Sequence, residues 1–397
     1  MTTKEFQART RFDRREVLDF SEGSLVAGAA PGERLPRSLL LPFHEIVELQ
    51  WNPNSGSGRV VAIRQNRIDD WFYACHFLGD PVMPGCWGID AFWQCMRFFA
   101  VWRGIADCSK ELGMGGVAFS GQIRPYDRTI RYEVDVLGIE SCDGETLLAG
   151  KGRAIVDGSP VYSAASVQVG TAFWQSEETL PPTVKSCGGA IERSLSLDEF
   201  SARRYFSPGE VLAISHGTLV ADAPEEFGLL PSSLMLELGE VHEITYDATD
   251  GTGRILASRR IDPTDWFFPM NGGAKPTALI MDGVWQLLGL FLAWKRNGGT
   301  GRALGFDRAE VFDRVRPDDR KLVYDVRISK LTQEGSRAGA FACADARVFS
   351  GGRLVLYCFG ARVGCRRGIR YSDYPLRSGL AFGGALKTGN QELGGQA

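Results

Sequence analysis

The stretch Trp71-Phe-Tyr-Ala-Cys-His-Phe-Leu-Gly-Asp-Pro-Val-Met-Pro-Gly-Cys-Trp-Gly-Ile-Asp-Ala-Phe-Trp-Gln94 decides how this chain is read. It sets two ionisable residues, His76 and Asp90, in an otherwise apolar context. Two glycines and two prolines in Gly79-Asp80-Pro81-Val82-Met83-Pro84-Gly85 make a shaped, rigid loop, since proline fixes φ and glycine lets backbone pass close to another group. From Cys86 to Trp102 nearly every position is apolar, which predicts a helix buried on all sides. Asp90 and Gln94 stand one turn apart on it, so Gln94 is the nearest local partner for a carboxyl that is costly to bury charged and alone. Taken singly, Asp90 reads as a helix N-terminal acid and His76 as a satisfied core histidine.

Working outward, the same signals return in the second half. Ser24-Leu-Val-Ala27 recurs as Thr218-Leu-Val-Ala221, and Leu35-Pro-Arg-Ser-Leu-Leu-Leu41 as Leu230-Pro-Ser-Ser-Leu-Met-Leu236. Trp71 matches Trp266, 195 positions on, and Ile89-Asp-Ala-Phe-Trp-Gln94 matches Met281-Asp-Gly-Val-Trp-Gln286, 192 positions on. The loop between them is therefore three residues shorter in the second copy. Five residues beyond Trp266 stands Asn271, where the first copy has His76. Asp282 and Gln286 are nevertheless retained. After each helix come strands of period two, with Ile130, Tyr132, Val134 and Val136 on one face and Leu322, Tyr324, Val326 and Ile328 as their counterparts. Hairpins turn at Asp157-Gly158 and Gly351-Gly352, and each half closes at Val-Gly, 169–170 and 363–364. One buried helix with a set of antiparallel strands, twice over, is an α+β pattern.

Over Trp71 to Gln94 the string resembles the active-site signature of the bacterial 3-hydroxyacyl thioester dehydratases of the FabA type. That resemblance implies two tandem hotdog folds, each a curved antiparallel sheet wrapping a long central helix: 1–175 carrying the catalytic histidine, a linker at 176–196, 197–364 carrying the catalytic aspartate, and a tail at 365–397. In such a family the working unit is a dimer whose sites take His from one subunit and Asp from the other, and a covalent duplication would mimic it. The resemblance thus implies His76 as base, Asp282 as acid and the Gly85 N–H as donor to the thioester oxygen, with Gln286, Asp90, Gln94 and Cys86 in supporting places. The Asn271 side has lost its base. This division resembles the dehydratase domains of polyketide and polyunsaturated fatty acid synthases.

The implied activity is loss of water from 3-hydroxyacyl thioesters on acyl carrier protein to give 2-enoyl thioesters, with double-bond isomerisation an open addition, in fatty acid or polyketide biosynthesis. It needs no cofactor beyond the carrier's own phosphopantetheine. An acyl-CoA hydratase, a hotdog thioesterase and a non-catalytic acyl-binding or scaffold subunit of a synthase are the alternatives. A monomer acting as a pseudo-dimer is expected, with a higher oligomer open. A histidine near its ordinary value suits the base, and a carboxyl raised by burial suits the acid. Cys75 and Cys86 flank the site, and inert thiols are the expectation for both.

Composition agrees with this reading. At 397 residues, 44% hydrophobic and 23% charged, the chain holds material for two cores, and its formal charge of −3 argues against a nucleic-acid partner. Nine cysteines without CxxC spacing suit a reducing compartment, so a cytoplasmic location is expected. The polar N-terminus has no apolar signal region, the apolar stretch Trp285 to Trp294 is short for a bilayer, and no metal-ligand spacing is visible. Gly298-Gly-Thr-Gly301 follows a helix and precedes a strand, the reverse of a phosphate loop. Arg366, Arg367 and Arg370 are the nearest thing to a basic docking surface for an acidic carrier.

Overall fold

The structure is a computed structural model and describes residues 1–28, 34–77, 80–105, 107–180, 193–224, 227–297, 300–332 and 340–366. The expected linker and tail fall largely outside these residues, as do Arg367, Arg370 and the side chain of Arg366.

Each half begins with two short helices that the sequence reading did not anticipate: α1 (Thr3–Ala8) and α2 (Arg14–Glu22), then α4 (Leu197–Ala202) and α5 (Pro208–Ser215). All four start from capping boxes, Thr2 with Glu5, Asp13 with Glu16, Ser196 with Glu199 and Ser207 with Glu210, in which cap side chain and third-residue carboxylate satisfy each other's backbone amides. Phe6, Phe12 and Phe20 cluster around Phe98 of the first central helix, closing one end of its core.

The strands of the first half are β1 (Glu45–Asn52), β2 (Ser57–Gln65), β3 (Lys110–Phe119), β4 (Thr129–Cys142), β5 (Glu145–Val156) and β6 (Ser159–Gly170). Those of the second are β7 (Glu240–Asp247), β8 (Thr252–Arg260), β9 (Thr300–Val311), β10 (Lys321–Thr332), β11 (Ala340–Ser350) and β12 (Arg353–Arg366). They join in one antiparallel sheet of order β1-β2-β4-β5-β6-β3-β9-β12-β11-β10-β8-β7. The order reads the same from either end once the halves are equated, and the seam is β3 on β9, with Met114 opposite Ala309 and Val117 opposite Phe306. Pairing at the seam removes two exposed sheet edges.

Inside the curve of each half lies one helix, α3 (Gly85–Trp102) or α6 (Thr277–Trp294). Both follow a proline with φ −58° and ψ 131°, an extended conformation that breaks off the preceding loop and leaves the first-turn amides without intrahelical acceptors. Trp87, Phe92, Trp93, Phe98 and Phe99 of α3 are fully buried, each contributing about 1.5–3 kcal/mol of transfer free energy. The sheet approaches closely where it lacks a side chain: a Cβ on Gly152 of β5 would lie 2.6 Å from the Phe92 ring. The faces expected to point inward do so, Ile130, Tyr132, Val134 and Val136 in β4 and Leu322, Tyr324, Val326 and Ile328 in β10 all being buried. These are two tandem hotdog units.

One expectation needs correcting. The apolar run in the second half is longer than Trp285 to Trp294, because all of α6 has the length and apolarity of a membrane-crossing helix, with mean hydropathy 1.4 over its 18 residues. It is 94% buried inside the protein. Its apolarity comes from being enclosed by the sheet on nearly every side.

Candidate active site

The loop between β2 and α3 presents His76. A 3-10 turn at Trp71–Ala74 leads into it, and the His76 N–H donates to the Phe72 carbonyl at 2.8 Å. The ring Nδ1 lies 3.0 Å from the Val82 carbonyl. Because a carbonyl only accepts, Nδ1 carries the hydrogen and Nε2 is left with its lone pair. Burial pushes the imidazole down to about 4, with the Arg302 charge acting in the same direction against the Val82 hydrogen bond. This departs from the expected value near 7: desolvation outweighs the single hydrogen bond, so the ring is neutral and base-competent well below neutral pH.

Behind His76 the loop is anchored through Asp80. Its carboxylate accepts from Arg124 of the first half at 2.6 Å and from Arg302 of the second. Burial alone would raise this carboxyl, but Arg302 and Arg124 hold it below the usual range. A second tie is backbone, the Ser232 N–H donating to the Cys75 carbonyl at 2.8 Å.

Asp282 comes to the same place from α6. His76, Gly85, Asp282, Gln286, Trp285 and Phe119 share one pocket between the halves, continued inward by apolar residues. Gln286 donates to Asp282 at 2.7 Å and is itself fixed by the Met235 carbonyl at 2.7 Å and the Glu237 amide at 2.9 Å. Burial pushes the Asp282 carboxyl up to about 6, against hydrogen bonds from Gln286 and from the Cys86 thiol on α3. That last bond crosses from the first half to the second. Burial raises both thiols, Cys75 to about 11 and Cys86 well above its ordinary value, so neither is a thiolate nucleophile. Gly85 opens α3 beside the pocket, and a Cβ there would already stand 3.1 Å from the Phe119 ring. Its amide, at the positive end of a buried 18-residue helix, is placed to donate to an oxygen gaining charge.

Asp90 is not in this pocket. It sits with Gln94, whose Nε2 is 3.3 Å from both its oxygens, and faces Glu111 and Asn271 on the other side of the pseudo-twofold axis. Burial first and the Glu111 charge second push its carboxyl well above the ordinary range. Asn271 takes the place of His76 in detail. Its N–H donates to the Phe267 carbonyl at 3.0 Å, and its Nδ2 donates to the carbonyl of Ala274, the counterpart of Val82, at 3.2 Å. The Arg37 N–H donates to the Met270 carbonyl at 2.7 Å, mirroring Ser232 and Cys75.

Sequence reading missed Arg302 and Arg124 as holders of the His76 loop, and also the buried Glu237, which pairs with Lys275 at 2.8 Å and Arg259 at 2.6 Å beneath Gln286. Arg302 is 222 positions from Asp80, beyond any local pattern. Arg124 was visible within Gln122-Ile-Arg-Pro125, a motif repeated as Arg314-Val-Arg-Pro317. No group of three His, Cys, Asp or Glu side chains suited to a metal ion occurs among the described residues.

The architecture defines the class, two hotdog units fused in one chain with their central helices meeting at the seam. The chain belongs to the FabA-like domain family, whose model matches residues 35–165 and again 230–358. Among solved structures it is similar to the dehydratase domain from the CurJ module of curacin polyketide synthase, at 12% identity and TM-score 0.49, over 82% of this chain and 98% of that one. It is similar also to the dehydratase domain of RzxB from Pseudomonas fluorescens, at 10% identity and TM-score 0.46, over 82% and 99%. A trans-AT polyketide synthase dehydratase domain from Brevibacillus brevis matches at 11% identity and TM-score 0.45, over 82% and 98%.

Proposed function

We propose that this protein is a dehydratase that removes water from 3-hydroxyacyl thioesters, with halves 1–175 and 197–364 contributing one residue each to a single site. The observation that carries the reading is that His76 and Asp282, from different halves, meet in one buried pocket, with an unspent helix N-terminus at Gly85 beside them.

The chemistry follows from the protonation states. His76 Nε2, neutral, takes the proton from the carbon next to the thioester carbonyl. Negative charge moves to the thioester oxygen, where the Gly85 N–H donates. Asp282, in its protonated form, gives its proton to the hydroxyl on the next carbon, the C–O bond breaks and water leaves. With a carboxyl near 6, about a tenth of Asp282 is protonated at pH 7 in the free enzyme, and an acyl chain that excludes water from the pocket raises that share. Trp285, Phe119 and Leu292 line an apolar bed for such a chain.

The substrate's carrier is the phosphopantetheine arm of an acyl carrier protein, in keeping with the polyketide synthase context of the similar structures. The single chain is the smallest active particle, since both catalytic groups lie within it. The test is direct: pure protein is incubated with 3-hydroxyacyl and 2-enoyl thioesters, on carrier protein and on coenzyme A, and the enoyl absorbance is followed. Turnover in both directions supports the reading. No turnover on any thioester, with the fold intact, refutes it.

A further inference from the structure

The pseudo-twofold axis that places one pocket at His76 and Asp282 places a second cavity, of about 310 Å³, at Asn271. This cavity has not kept the apolar character of its twin. Where Leu229, Gly289 and Gln122 line the first pocket, the symmetry-related positions in the second are Arg34, Arg97 and Arg314. Arg37, related to Ser232, joins them. Arg97 thus sets a charged group where Gly289 leaves an open apolar wall, and an acyl chain has no apolar bed there.

Among the described residues, the arginines and lysine on the cavity wall outnumber its carboxylates. Glu111 is the one carboxylate on its wall among the described residues, and it is engaged by the Thr277 hydroxyl at 2.6 Å, by Gln94 at 3.3 Å and by Arg97 at 3.6 Å. Lys275 also lines the cavity but is neutralised by Glu237. Among the described residues, the Arg37 guanidinium donates to the carbonyls of Ser21 and Glu22, at 3.4 and 3.3 Å, and that of Arg314 to the carbonyl and hydroxyl of Ser109, at 2.7 and 3.0 Å, while lying 5.9 Å from the Phe173 ring centre; neither meets a carboxylate there. Arg97 has a buried Nε with no hydrogen-bond partner among the described residues, and the Arg314 charge presses on it. At the floor lies Thr277, first residue of α6, whose cap, Pro276, offers no side chain to the first-turn amides. Guanidinium forks with spare donors and a helix N-terminus, around a space far larger than the 10–15 Å³ or so that one water needs, form a receptor for a hydrated oxyanion.

We propose that this second cavity, the degenerate twin of the active pocket, binds a phosphate group through Arg37, Arg97 and Arg314 at the N-terminus of α6. Free phosphate and the phosphate of a phosphopantetheine arm share that chemistry. The proposal does not depend on the dehydratase reading, because its readout is binding.

Isothermal titration of the whole chain at low ionic strength with inorganic phosphate, with phosphopantetheine and with phosphate-free pantetheine tests it, with chloride at matched ionic strength as the control. The expected result is one saturable site for inorganic phosphate, weakened about tenfold in Arg37→Gln and again in Arg314→Gln. Both variants are checked by circular dichroism, and Arg37 is exposed enough for its substitution to leave packing untouched. Tighter binding of phosphopantetheine than of phosphate, with none of pantetheine, identifies the arm as the source, whereas equal binding identifies the free ion. No saturable phosphate binding below about 10 mM, or binding that is the same in the folded double variant, overturns the proposal.

Discussion

Replacing Asp80 with asparagine tests how the His76 loop is held. The Asp80 carboxylate lies between two guanidinium groups, Arg124 and Arg302, whose side chains are 3% and 7% exposed, so all three charges are withdrawn from water. Asparagine keeps the shape and removes the charge, leaving two buried cations facing each other. Breaking one buried pair costs about 3–5 kcal/mol. Arg124 also bonds the Pro81 carbonyl and Arg302 the Gly301 carbonyl, which offsets part of the loss, so about 3–4 kcal/mol is expected in all. At about 1.2 °C per kcal/mol, the sensitivity of a cooperative unit of 397 residues, the melting temperature should fall by roughly 4–5 °C. The pH dependence follows from the direction of the shift. A native carboxyl held below its ordinary 3.8 contributes its stabilisation fully above that pH and loses it as pH falls through the native value. Parent and Asp80→Asn should therefore differ most at neutral pH and converge in strong acid. Thermal and urea denaturation followed by circular dichroism measure both effects. A variant within about 0.5 kcal/mol of the parent at pH 7 would refute the reasoning, and so would a gap that widens in acid.

Three further outcomes follow. The pH profile of kcat/KM should rise through about 4 as His76 loses its proton and fall tenfold per unit above about 6 as Asp282 loses its own, a profile set by stopped or continuous enoyl assays. Cys86→Ala should keep activity within about tenfold and move the alkaline limb upward, because Asp282 loses one of the hydrogen bonds that stabilise its charged form, and a large loss of kcat would instead make the thiol a reacting group. Asn271→His should place an imidazole there without creating a second site, leaving an inactive His76→Ala variant inactive, since Arg34, Arg97 and Arg314 line that cavity where an acyl chain would need apolar wall.

Much of this was legible because the duplication is written in large residues. Trp71 and Trp266, and Asp90 and Asp282, mark the spacing, and counting from the tryptophans puts Asn271 at the place of His76. The hydrogen bond from Asn271 to Ala274 matches that of His76 to Val82, although the loop is three residues shorter. The four N-terminal helices escaped notice even though each announces itself by a capping box, since apolar periodicity is weak over six to nine residues. The depressed pKa of His76 was not legible at all. It depends on burial and on Arg302, which belong to the assembled halves. The cationic second cavity was hidden for the same reason, its arginines being scattered over residues 34 to 314 and gathered only by the fold.

The central claim is that one working site is composed across the two halves, and comparing kcat/KM of Asp282→Asn and Asp90→Asn tests it most directly. Asp282→Asn should lose on the order of 100-fold or more, as removal of a general acid does, and His76→Ala should do the same. Asp90→Asn should lose less than about tenfold, because its carboxyl lies outside the pocket and burial already favours its neutral form. Each variant is first shown to be folded by circular dichroism. An inactive Asp90→Asn beside a fully active Asp282→Asn would contradict the account.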